Sequence, residues 1–300
     1  MNIIEKAIED FKQGKNVVIP TETVYGLGAS IYQEKALKNI FSLKNRPSDN
    51  PLIVHIHCLE EVKKLAREIP KEFYLLAEAF FPGPLTVILK KKKGLSHLIT
   101  AGLDTVAIRM PKHPIAKKIL EGLGEPVAAP SANLSGKPSP TTKEHVKSDF
   151  GDAVLVVDGG ACEIGIESTV ISLVDTPKIF RPGSITKSEL ERVLGCSISE
   201  TKETTKPVCP GMKYRHYAPN ATVTIFQDKE DLQKNSDSNC MVLSNEEILG
   251  RDAIPYSSAT IYSLFREADS NKMKSISIYL DSNTKNDSGL VNRLEKASKG

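Results

Sequence analysis

None of the loops that usually announce a bound nucleotide or a catalytic nucleophile occurs in this sequence, which has no GxxxxGK[ST], no GxGxxG, no HExxH and no GxSxG. Each absence removes most of the weight from a class: P-loop NTPases, dinucleotide oxidoreductases, zincins and α/β-hydrolases. Cysteine is scarce and unpaired in pattern. Cys58, Cys162, Cys196, Cys209 and Cys240 are odd in number and form no CxxC, which argues against a disulfide framework and for free thiols in the cytoplasm. No apolar run approaches the roughly 20 residues of a membrane span. Charges break up Asn2–Asp10, so no signal peptide is expected there. A strong charge bias is missing too, since the formal net charge is +3. Residues 220–300 hold 10 Lys+Arg against 12 Asp+Glu, so the basic surplus lies in residues 1–219. A surplus this mild suits an anionic small ligand at least as well as a nucleic-acid tract.

What remains is an ordinary globular composition, 40% apolar and 26% charged, over 300 residues. That length suggests two domains. Ile3, Ile4, Ala7, Ile8 and Phe11 share one helical face, and Gly14 follows where a helix would stop. Val17–Ile19 reads as a buried strand closed by Pro20, and Gly26 and Gly28 supply turn freedom beyond it. Helices are expected over 34–43, 59–69, 71–81 and 114–122, with further helices opened by Thr141/Glu144 and Thr186/Glu189 at capping-box spacing. Strands are expected at 52–56, 85–89, 105–110, 126–129, 153–157, 168–174 and 178–181. Several are adjacent in sequence, so the sheet should be twisted and mixed. Residues 197–207 turn Ser/Thr/Lys/Glu-rich without periodicity, a linker signature. Strands near 222–226, 240–243 and 275–280 and a helix near 289–298 then suggest a small second α/β domain.

Polar residues recur at the strand ends: Thr21, Thr23, His55, Arg109, Ser131, Asn133, Ser168, Thr169 and Arg181. Singly, each has an ordinary explanation, such as a turn hydroxyl or a surface ion pair. Together they describe a pocket for a polar, anionic ligand. Lys44, Arg46 and Arg181 suit phosphate, because guanidinium forks match its oxygens and lysine adds a compact charge. His55, His57 and Cys58 have a spacing that could ligate metal, but no second Cys/His pair accompanies them. Lys90–Lys93 could touch nucleic acid, yet beside Gly94 they read better as a solvated hairpin tip.

The chain resembles the YrdC/Sua5 family through a series of motifs spanning nearly all of residues 1–195 in one order. They are Pro20-Thr21-Glu22-Thr23-Val24-Tyr25-Gly26-Leu27-Gly28, Lys44-x-Arg46-Pro47 with Asn50-Pro51-Leu52, Phe81-Pro82-Gly83-Pro84, Ala107-Ile108-Arg109-Met110-Pro111, Pro130-Ser131-Ala132-Asn133-x-Ser135-Gly136, Glu167-Ser168-Thr169 and Arg181-Pro182-Gly183. Pro210–Pro219 resembles the linker of the longer, Sua5-type members, with Cys209 where the family more often has Ser or Ala. The resemblance implies a YrdC-like domain over 1–196 whose sheet encloses a deep pocket, a linker over 197–219 crossing its mouth, and a small Rossmann-like Sua5 domain over 220–300, shorter than usual.

It also implies an activity: joining L-threonine, bicarbonate or CO2 and Mg2+-bound ATP into threonylcarbamoyl-adenylate, with release of pyrophosphate. The product would pass to threonylcarbamoyl-transferase machinery for t6A37 modification of tRNA, with no membrane partner. Carried over by position, Thr23, His55, Arg109, Ala129 through its backbone, and Ser168 fall on the threonine side. Lys44, Arg46, Asn50, Thr105, Ser131, Asn133, Ser139, Arg181 and Tyr217 fall on the nucleotide side. No protein metal ligand and no protein nucleophile is implied, since both nucleophiles come from the substrates. Residues 205–219 would act as a lid that excludes water from the labile product. An RNA-binding module is the alternative, and it would need a continuous basic stripe in place of arginines gathered in one cavity.

Overall fold

The computed structural model describes residues 1–201, 216–235, 237 and 239–299. Ten strands form the first sheet: β1 (Val17–Ile19), β2 (Gly26–Ser30), β3 (Ile53–His55), β4 (Leu85–Lys90), β5 (Thr105–Arg109), β6 (Val127–Ala128), β7 (Leu155–Val156), β8 (Thr169–Ser172), β9 (Lys178–Arg181) and β10 (Ser199–Glu200). Their order is β10-β9-β8-β4-β5-β3-β6-β2-β1-β7. The sheet is mixed as expected: β3–β5, β4–β8, β1–β7 and β9–β10 run parallel and the other pairs antiparallel. β10 carries this sheet to Glu200, beyond the boundary expected at residue 196.

Asn2 and Glu5 close the first turn of the helix Ile3–Lys12 with a reciprocal capping box. Its Ala7 and Phe11 face inward and pack, with Ala116, Ile119 and Leu120 of the helix Pro114–Leu123, on Val17, Ile19 and Val127. On the opposite face Leu37 and Ile40, Phe73 and Leu76, and Leu190 bring helices 34–44, 71–80 and 187–194 onto the main core.

Three local expectations are corrected. The helix expected over 59–69 shrinks to short turns at Leu59–Glu61 and Val62–Leu65. Ala66 is already extended and bridges Lys91, and Pro70 follows, so the pattern cannot continue as helix. The cap of the helix Lys143–Phe150 is Thr142, which accepts the His145 N–H, while the Thr141 hydroxyl lies 3.2 Å from Ser263 Oγ. Gly26 and Gly28 lie within β2 rather than in a turn, and a Cβ on Gly28 would stand 2.8 Å from Phe11 Cζ and 2.9 Å from Val127 Cγ1. Gly28 is there so that the helix and β6 can close on β2.

The second sheet is wholly parallel, with β11 (Thr222–Phe226), β12 (Cys240–Leu243), β13 (Ala253–Ile254) and β14 (Ser275–Tyr279) in the order β11-β14-β12-β13. Its core is not self-contained. Val24, Ile166, Tyr217 and Ala218 pack into the same apolar cluster as Ile261, Phe265, Ile276 and Leu294. Gly289 opens the final helix against the first unit, where a Cβ would come within 3.0 Å of Gly183 Cα. Arg266 adds an ion pair to Asp149 at 2.9 Å and donates to the Pro138 carbonyl at 2.6 Å.

Candidate active site

Strand register decides where a cavity can form. His55 is level with Arg109 and Val127, Ile53 with Ala107, and Val170 with Arg181, so these side chains share one face of the sheet. Over β1, β2 and β6 that face lies under helices 3–12 and 114–123. Farther along it, Ile53, Ala107, Ile88 and Val170 form a small apolar patch of their own. A cavity with about 50 Å³ of free space opens beside this patch, lined by Thr23, His55, Arg109, Arg46, Ser168 and Arg181 together with His216 and Tyr217.

Arg109, at the end of β5, is held at three nitrogens. Nη1 donates to Thr23 Oγ1 at 2.7 Å, Nε donates to the Gly83 carbonyl at 3.2 Å, and Nη2 lies 2.7 Å from Glu22 Oε1. Burial works to raise the Glu22 carboxyl, but the Arg109 charge and hydrogen bond outweigh it and hold it below the usual range. Glu22, the carboxylate of the strand-end tip between Thr21 and Thr23, was assigned to neither side of the site from sequence. Beside Arg109, burial and then the guanidinium charge push His55 down to about 3, so its imidazole is neutral. Ser168 completes this end: its hydroxyl is 2.7 Å from Thr86 Oγ1 and accepts from Arg181 Nη2 at 3.1 Å.

Arg46, Ser131, Arg181 and Tyr217 line the cavity as well, and Ala129 forms part of its wall. Arg46 donates from Nη2 to the Pro51 carbonyl at 3.0 Å; burial lowers it to about 10, which leaves it charged at neutral pH. Ser131 sits in a loop laid along the start of β2, bridged to Gly26.

Five residues expected on the nucleotide side lie outside the cavity wall. Lys44 is buried and donates to the carbonyls of Ser131 (2.6 Å) and Asn133, so it secures the loop rather than facing the cavity. Desolvation lowers its amine well below the ordinary lysine value. Asn133 donates to Leu134 O and Lys137 O within that loop. Ser139 donates to Glu167. Asn50 is buried behind Arg46. Thr105 begins β5 and shares a face with Ala107 and Arg109.

Buried polar atoms of the lining residues that have no hydrogen-bond partner among the described residues include Arg46 Nε, His55 Nδ1 and His216 Nε2. Buried groups are almost always satisfied, so orphans gathered around one cavity mark a place where a ligand belongs. Residues 205–215 of the expected lid, with Cys209, lie outside the described residues, but His216–Pro219 are seen. Tyr217, at φ +65°, is 5% exposed and stacks on Tyr262 with ring centroids 5.8 Å apart.

Glu167, Tyr262 and Arg293 are functional candidates that sequence reasoning missed. Glu167 stood in a motif, but the other two occupy amphipathic helices where nothing distinguishes them from ordinary surface or core positions. Burial raises the Glu167 carboxyl, yet the Arg293 and Arg181 charges bring it down to about 2. His57 and Cys58 meet Glu61, with possible ligand atoms all within 4.8 Å, whereas His55 faces the cavity instead.

A family model described as "Telomere recombination" (Sua5/YciO/YrdC) matches residues 9–183, and a second, "Threonylcarbamoyl-AMP synthase, C-terminal domain", matches residues 185–299. The chain belongs to the YrdC/Sua5 family. Within it, the second match makes this a Sua5-type member. A threonylcarbamoyl-AMP synthase of Bacillus subtilis is 41% identical, covering 99% of this chain and 93% of its own length. One from Pyrococcus abyssi is 50% identical over 73% of this chain and 66% of its own. The solved structure of P. abyssi Sua5 complexed with L-threonine superposes with a TM-score of 0.90 at 39% identity, covering 99% of this chain and 94% of that one.

Proposed function

We infer that the chain is a threonylcarbamoyl-AMP synthase, which makes threonylcarbamoyl-adenylate and pyrophosphate from L-threonine, bicarbonate or CO2, and ATP. The observation that carries the reading is Arg109, fixed by Glu22, Thr23 and Gly83 beside neutral His55, at one end of a cavity whose other walls hold Arg46 and Arg181. Two of its five N–H groups donate hydrogen bonds and Nη2 is ion-paired to Glu22, so the guanidinium fork still has donors for a substrate carboxylate. Arg109, Thr23, His55, Ser168 and the Ala129 backbone form the threonine half. Arg46, Ser131, Arg181 and Tyr217 form the nucleotide half, with Lys44, Asn133, Asn50, Thr105 and Ser139 shaping or extending it.

The chemistry needs no protein nucleophile. The threonine amine adds to CO2, an N–C bond forms and the nitrogen loses a proton; a carbamate oxygen then attacks the α-phosphorus as the bond to pyrophosphate breaks. The protein aligns the two substrates and meets charge on the phosphate oxygens with arginine. Mg2+ fits this site as part of MgATP. Both carboxylates near the cavity are taken, Glu22 by Arg109 and Glu167 by Arg293, so the triphosphate would be its ligand, where it screens charge.

His216 and Tyr217 line the cavity, so a movement of this segment would change access for ATP and shelter of the product. The same reading keeps a deep YrdC-like pocket under a lid, a linker over 197–219, and a second unit over 220–300 whose parallel sheet is Rossmann-like. Four described cysteines are free and no described helix is long and apolar enough to cross a membrane, in keeping with work in the cytoplasm. Transfer of the product to tRNA by a separate transferase belongs to the same reading. The RNA-binding alternative loses its main feature: Lys90 pairs with Glu68 at 2.7 Å and Lys92 donates to the Lys63 carbonyl. Incubation with MgATP, threonine and bicarbonate should release pyrophosphate together with the adenylate; release indifferent to threonine would refute the assignment.

A further inference from the structure

The second unit reaches the cavity wall through Tyr262 and, above all, Arg293. Arg293, on the helix Ser288–Ser298, is 0% exposed, an unusual place for a guanidinium. Its Nε donates to Glu167 Oε2 at 2.7 Å, its Nη2 to the Glu167 carbonyl at 3.1 Å, and its Nη1 to the Pro182 carbonyl at 2.9 Å. Tyr262 donates its hydroxyl to the same Glu167 Oε2 at 3.0 Å, while Glu167 Oε1 accepts from Ser139. The guanidinium also lies 5.3 Å from the centre of the Tyr217 ring, which stacks on Tyr262 as well. Both cavity residues that Arg293 touches, Glu167 and Tyr217, are thus held from outside the first sheet.

We propose that Arg293 is a positioning residue for the nucleotide half of the site, acting through Glu167 on Ser139 and through its ring contact on Tyr217. The inference rests on the synthase reading and gives the second unit a role in it. The threonine half has a support of its own in Arg109, fixed by Glu22, Thr23 and Gly83, while Ser168 follows the Glu167 carbonyl that Arg293 holds and is also fixed by Thr86 and Arg181. Loss of Arg293 should therefore loosen the nucleotide half far more than the threonine half. A strut that merely joined the two units would weaken both halves together or neither.

The test is a double-mutant cycle in the full chain, comparing wild type, Arg293→Met, Glu167→Gln and the pair. Affinity for a fluorescent ATP analogue and for threonine are read separately, beside the melting temperature. Arg293→Met leaves a buried carboxylate unpaired and is the variant most prone to unfold; the pair removes both charges and relieves that cost. Each folded single variant should weaken the analogue by about tenfold and threonine by less than about threefold, and the pair should be no worse than the weaker single. Tyr262→Phe keeps the ion pair and stacking but removes one hydrogen bond to Glu167, and should weaken the analogue by about threefold even if both Arg293→Met proteins fail to fold. Unchanged ATP affinity in folded variants, or a pair equal to the product of the singles, overturns the proposal. A wild type that binds neither ligand defeats the synthase reading itself, a separate result.

Discussion

Arg109 and Glu22 make a buried pair at 2.7 Å, and what a buried pair does depends on which partner is lost. Arg109→Ala removes the fork proposed to hold the threonine carboxylate and also strands the Glu22 charge. Threonine affinity should fall by at least about tenfold, while ATP affinity in the folded fraction moves by less than about threefold; isothermal titration of each ligand is the measurement, and equal losses would contradict the division of the site. Glu22→Gln strands Arg109 instead and should cost both stability and threonine binding. At this scale the gathering was legible in sequence, because strand-end hydroxyls and arginines do line one cavity. Lys44 shows what composition leaves out: it displays a basic residue, but only the fold shows its amine bonded to two carbonyls of the Ser131–Asn133 loop.

Single elements were read well where one periodicity dominated and poorly where a neighbour overruled it. The helix at 3–12 and the box at Thr186/Glu189 follow local rules, and both formed as the rules require. The segment 59–69 has helical spacing too, yet Ala66 is drawn into a bridge with Lys91 that no local pattern records. Gly28 is a similar case, since glycine in a polar motif suggests a turn until Phe11 and Val127 are found against it. Gly28→Ala should overpack that contact and cost about 1–3 kcal/mol, read as a lower urea midpoint with ligand affinities kept. A midpoint equal to wild type would mean that the helix can shift aside freely.

The molecule as a whole carries three histidines held neutral by burial. Desolvation, with nearby positive charge, brings His55 and His216 down to about 3 and His145 to about 4, against an ordinary value near 6.5. Unfolding releases them to take up protons, so the unfolded state binds more protons wherever pH lies between the two values. Their stabilising contribution is complete above about pH 6.5 and is lost as pH falls, down to about 4 for His145 and about 3 for His55 and His216. His55 and His216 should each contribute a slope of about 1.4 kcal/mol per pH unit below pH 6, and the more exposed His145 less. Urea midpoints at pH 7.5 and 5.5 measure this; no decline on acidification would mean that these imidazoles are solvated. Glu167 adds its own loss only below about pH 4.5, because its folded value is the lower one.

β3 and β5 run parallel in a register that sets His55 beside Arg109 at the polar end of the cavity and Ile53 beside Ala107 at the apolar patch next to it. Two residues of strand separate those rungs, about 7 Å at strand rise. The fold is in this sense a ruler: the span between the polar pair and the apolar pair is fixed by peptide geometry, not by side-chain reach. Substitutions along β5 can change how either pair packs. Only an insertion or deletion could change the gauge, and a single added residue between the rungs would turn one pair to the other face of the sheet.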